Sequence, residues 1–122
     1  MLLMALCLSM PAVAAEGIEF NRDIRPILSD KCFSCHGPDK NTREADLRLD
    51  VQKDAFRDLG GYVAIAPGDP AHSELIRRIE TGDQDDVMPP VESNLKLTSS
   101  EKQLLSEWIL SGAEYQEHWS FI

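Results

Sequence analysis

The side chains with the sharpest chemistry stand together in one short run, Cys32-Phe33-Ser34-Cys35-His36. Two cysteines three apart on a helical turn present both sulfurs to one side. That spacing suits addition of both thiols to the two vinyl groups along one edge of a porphyrin. His36 follows directly and is placed to reach under the ring and give a nitrogen to iron. The C-x-x-C-H run is therefore read as the attachment signature of one covalent haem c, with Cys32 and Cys35 forming thioethers and His36 binding the metal. Thioethers resist reducing agents, and they are made on the exported side of a membrane.

C-x-x-C alone also serves as a redox disulfide or as half of a zinc site. A thioredoxin-like site needs a strand before the motif and a βαβ context, and neither is visible. A zinc site needs two further ligands. His72 and His118 are the histidines left, and no second cysteine pair follows. A non-haem metal or thiol module thus stays as an alternative.

Beyond the first 15 residues there is one methionine, Met88, in Asp85-Asp86-Val87-Met88-Pro89-Pro90. An isolated methionine in an acidic, proline-rich loop reads as an axial thioether, with the prolines stiffening the loop that presents it. The plainer alternative is a loop methionine packed under the domain. Methionine with histidine raises a haem potential relative to two histidines. His72, beside Asp69 and Glu74, reads as a solvated surface residue. His118, among Tyr115, Trp119 and Phe121, reads as core, interface or a substitute ligand. Arg48, between Leu47 and Leu49, is the candidate cation for a haem propionate. Its competing reading is an exposed ion pair with Asp46 or Asp50.

The elements that must position these groups are short. Phe20, Ile24, Ile27 and Leu28 recur at helical spacing, predicting an amphipathic helix over 19–30 with a start or kink near Pro26. Residues 37–46 read as a polar loop. Leu47, Leu49 and Val51 alternate with charges and predict a short extended piece, and 52–59 a short helix stopped at Gly60-Gly61. Asp69 is a good N-cap, Pro70 a good first residue, and Leu75, Ile76 and Ile79 the buried stripe of a helix over 70–80. Residues 81–97 read as a long loop. Thr98-Ser99-Ser100-Glu101 forms a capping box ahead of Leu104, Leu105, Trp108 and Ile109, and Gly112 closes that helix. The chain is expected to be all-α, with a thin core that gains from a large apolar object at its centre.

At 122 residues there is room for one small domain, near the lower end for a self-sufficient core. A formal net charge of −9 argues against nucleic acid and against docking on anionic lipid. Residues 1–15 carry no charged side chain, are mostly apolar and end in small residues, the pattern of a secretory signal peptide. Their apolar run, Leu2 to Met10, is too short to span a bilayer. The expectation is export to the periplasm or another extracytoplasmic space, without stable membrane insertion after cleavage.

From Glu19 to Phe121 the chain resembles the cytochrome c domain typical of planctomycete bacteria. The resemblance rests on FNRDIRPILSDKCFSCHGPD (20–39), LRLD (47–50), APGDPAHSELIRRI (66–79), MPP (88–90) and LTSSEKQLLSEWILSGAEY (97–115). It implies a small class-I-like cytochrome c fold, in which the first and last helices cross, short helices and long loops surround one haem, and a methionine sits on a late loop. It also implies Cys32, Cys35 and His36 as attachment residues and Met88 as the distal ligand. Such domains usually stand at the front of much longer secreted proteins. Residues 16–116 are then the cytochrome c domain and 117–122 the start of a linker or a truncated C-terminus. The implied role is electron transfer, not catalysis, with a redox partner protein or an adjoining domain. The competing role is a haem enzyme or sensor with a displaceable Met88.

Overall fold

The computed structural model describes residues 17–118, so the expected signal peptide and residues 119–122 lie outside the described residues. The helical stripe at the front of the chain folds as its spacing requires. A π-helical turn, Phe20–Ile24, runs straight into α1 (Arg25–Lys31), with Pro26 in the first helical turn where its missing N–H costs nothing. Phe20, Ile24, Ile27 and Leu28 are all buried. The remaining helices are α2 (Phe33–His36), α3 (Gln52–Ala55), α4 (Glu74–Glu80) and α5 (Ser99–Leu110), with 3-10 turns at Pro70–His72 and Val91–Ser93. Among the described residues the only β pairing is two isolated bridges, Asp58 with Val63 and Val63 with Ser73, so the described chain is helical, in keeping with the all-α expectation.

The first segment packs against α5. Phe20 meets Trp108 with ring centroids 5.5 Å apart, and Tyr115 lies 4.5 Å from Phe20 and 5.3 Å from Trp108. Leu105 and Ile109 complete the seam at 0% exposure. The capping box starts α5 as expected: Thr98 Oγ1 accepts from Glu101 N (3.1 Å) and Glu101 accepts from Thr98 N (2.9 Å). Gly112, at φ 119°, turns the chain out of the helix in a region closed to most side chains.

Three local expectations are corrected. Residues 47–51 form no strand, because their backbone groups bond elsewhere: Leu49 N–H donates to His36 O (2.8 Å) and Arg48 N–H to Asp54 Oδ2 (2.6 Å). α3 stops at Ala55 because the Ala55 carbonyl accepts from Ile65 N–H (3.1 Å), while Leu59 N–H turns to Tyr62 O (2.7 Å). The helix expected over 70–80 is divided at Ser73, which is extended (φ −95°, ψ 116°). Glu74 and Leu75 give their N–H groups to the carbonyls of Val63 and Ala64 (3.0 and 2.9 Å), so α4 begins against that segment. Buried Ser73 secures the break, its Oγ accepting from Ala66 N (2.8 Å) and donating to Asp69 O (2.9 Å).

Candidate functional site

Helix α1 delivers the C-x-x-C-H run without a flexible joint. Cys32 N–H still donates to Leu28 O (2.8 Å). The backbone then bends at Cys32 (φ −128°, ψ −37°), and α2 forms the next turn, with Cys35 N and His36 N both donating to Cys32 O (3.2 and 2.8 Å). One turn of helix therefore carries both thiols and the imidazole. The chain must leave this turn closely: Gly37 is buried, and a Cβ there would collide with the Phe33 carbonyl. The following loop is tied back by Glu44 N–H to Cys35 O (2.7 Å) and by the Leu49 bond to His36 O.

Cys32, Cys35, His36 and Met88 all line one cavity of about 490 Å³. That size falls within the range of cofactor sites. Leu47, Leu49, Ala64, Leu75 and Ile79 give it apolar walls, and Pro89 and Pro90 extend the Met88 side. Met88 is fixed from behind, its N–H donating to Arg78 O on α4 (3.0 Å).

The electrostatics of the turn favour neutral groups. Burial pushes the Cys32 thiol up to about 12, with Cys35 and Glu101 adding to the effect. Redox-active C-x-x-C turns require the opposite, a stabilised thiolate. Burial holds the His36 ring below the usual histidine range, against the pull of the Glu44 and Leu47 backbone, so a nitrogen lone pair is free at neutral pH. His36 Nδ1 is buried without a hydrogen-bond partner. Two thiols, a neutral imidazole and a thioether on one apolar cavity form a donor set that fits a haem c.

The other sequence candidates lie elsewhere. Arg48 stands in the ion pair with Asp50 that is its competing reading. It does not line the cavity; Asp50, two residues on, takes its guanidinium through Nε (3.1 Å) and Nη2 (2.6 Å). Arg48 lines a separate, more open groove together with Tyr115 and His118. His72 is exposed and paired with Asp69 Oδ2 at 2.7 Å. The arginine that does line the cavity is Arg78, with Lys31 as a second cation. Arg78 is not among the candidates that the sequence motifs single out. The available signal was its place on α4, three residues after Leu75 and beside Ile79, at the border of the buried stripe.

A helical domain with a C-x-x-C-H turn on an apolar cavity has the make-up of a c-type cytochrome. The model of the planctomycete cytochrome C family matches residues 32–92, half of the chain, and the chain belongs to that family. Membership implies covalent haem c. No curated protein and no solved structure matches the chain.

Proposed function

We propose that the cavity holds one haem c, joined through thioethers to Cys32 and Cys35 and ligated by His36 and Met88, and that the domain transfers electrons outside the cytoplasm. The observation that carries this reading is the convergence of all four side chains on one apolar cavity. In forming each thioether, the cysteine S–H adds across a vinyl C=C: a C–S bond forms, the hydrogen goes to the neighbouring carbon, and no electrons are lost or gained. When bound, the group supplies a one-electron ferric–ferrous couple. The chain's own part is to hold the ring edge on the α2 turn, to keep water away with Leu49, Ala64, Leu75 and Ile79, and to offer a sulfur from the 83–90 loop.

Export by residues 1–15, a wrapped class-I-like arrangement and a position ahead of further domains belong to the same reading. No helix among the described residues is long and apolar enough to cross a membrane. A zinc or thiol module is less well supported. The described residues contain no group of three or more His, Cys, Asp and Glu side chains placed to hold a metal ion, and Cys32 sits where a thiolate is disfavoured.

Substitution of the sulfur ligand tests the site. Met88→Ala in the haem-loaded protein should abolish the weak near-infrared band of a sulfur–ferric haem bond and lower the reduction potential, while the haem stays attached. An unchanged spectrum and potential would remove Met88 from the site and turn attention to His118 and His72.

A further inference from the structure

The loop that ends at Met88 is held by side chains of α4 that reach across to it. Arg78 donates from Nε to Glu74 Oε1 (3.1 Å) and from Nη1 to the Asp86 carbonyl (3.4 Å), and the same Nη1 lies 3.8 Å from Asp86 Oδ1. Arg77 closes the network, gripping Glu74 Oε1 through Nη2 (2.6 Å) and reaching Asp86 Oδ2 through Nη1 (3.4 Å). Two cations and two carboxylates thus join α4 to a point two residues before Met88. The turn below that point is closed by Asp86 N and Val87 N, both donating to Asp83 O (3.1 and 2.9 Å). Arg78 holds the segment twice, by its guanidinium at Asp86 and by its own carbonyl at Met88 N. Of the two arginines, it is also the one that lines the cavity.

We propose that Arg78 is a positioning residue for Met88: its guanidinium, anchored by Glu74, clamps the Asp86 backbone and keeps the Met88 side chain at the cavity wall. The inference rests on the reading of Met88 as the axial ligand. The clamp needs a planar fork that donates in two directions at once. A lysine keeps the charge but cannot bridge Glu74 and the Asp86 carbonyl in the same way. The Arg78 and Asp86 side chains keep 32% and 42% of their surface in solvent, so salt screens the network. The hold on Met88 therefore weakens as ionic strength rises.

The test uses the full haem-loaded chain in the ferric state, with imidazole as the competing ligand at about pH 8, where the probe is neutral and salt does not act on it. Arg78→Gln and Arg78→Lys should each speed imidazole binding about five-fold, short of the effect of Met88→Ala, and weaken the near-infrared band. Raising salt from about 0.05 to about 0.5 M should speed binding to the wild type about two-fold and have a smaller effect on Arg78→Gln, in which only the Arg77 pairs with Glu74 and Asp86 remain to be screened. Trp108→Phe, which loosens the aromatic seam with Phe20 and Tyr115 and does not line the cavity, controls for general destabilisation and should leave the rate unchanged. Wild-type rates and an intact band in both Arg78 variants, with the band lost in Met88→Ala, would overturn the clamp and leave the Met88 reading standing. No change in Met88→Ala would overturn both. If the Arg78 variants fail to mature, Glu74→Gln and the wild-type salt series decide, and an unchanged rate in both would count against the clamp.

Discussion

The two halves of the molecule are held together by different physics. Where the first segment meets α5, Phe20, Trp108 and Tyr115 stack and tilt against one another, and Ile24, Leu28, Leu105 and Ile109 are fully buried. This half fills its own interior. The half around the cavity is assembled from loops. Its joints are single backbone bonds, such as Glu44 N to Cys35 O and Met88 N to Arg78 O, together with a partly exposed charge network. Its apolar side chains face a space of about 490 Å³ that they do not fill. The contrast teaches a division of labour. One half supplies a packed stem that ends at Cys32, and the other is a shell around a cavity that its side chains do not fill.

If the cavity holds the proposed haem, losing it should break the comparison most severely. On the proposed reading, a chain in which Cys32 and Cys35 are both alanine should not attach haem. Its amide-exchange protection should collapse across 44–65 and 83–95 and persist best across 20–28 and 105–109. Uniform, native-like protection in that variant would show that the shell stands by itself.

Damage to the other half should be smaller. Trp108→Ala removes the largest fully buried side chain among the described residues and should cost about 3–5 kcal/mol in denaturant unfolding of the haem-loaded protein, with little shift in its visible spectrum. A finer change probes the joint between the halves. Tyr115 OH donates to the Leu49 carbonyl (2.8 Å), linking the aromatic seam to a cavity wall. Tyr115→Phe should cost about 1 kcal/mol in the same measurement, because the buried carbonyl loses its donor.

The legibility of the chain follows the same division. Where structure depends on neighbours in sequence, the residues announce it. The stripe Phe20, Ile24, Ile27, Leu28 and the Thr98–Glu101 capping box both appear as expected. The C-x-x-C-H turn was visible for the same reason, since its geometry lies within a single helical turn. What depends on distant partners was not visible. The alternation at Leu47, Leu49 and Val51 suggests a strand, but among the described residues no strand pairs with it and His36 O takes the Leu49 N–H. The break at Ser73 arises from carbonyls of Val63 and Ala64, which α4 meets only in three dimensions. Arg48 and Arg78 illustrate the point most directly. Arg48 had the apolar neighbours, yet Asp50 captures it, whereas Arg78 gains its place because the 83–88 loop folds back on α4.

The central claim, that Cys32 and Cys35 carry one covalent haem, is tested most directly by denaturing the matured protein, extracting it with acid–acetone and mapping the peptides by mass. The account predicts that the pigment stays with the polypeptide and that the peptide spanning residues 32–36 carries the mass of one haem, with neither thiol free to alkylation. Haem that extracts completely, or a 32–36 peptide with two alkylatable cysteines, would contradict it.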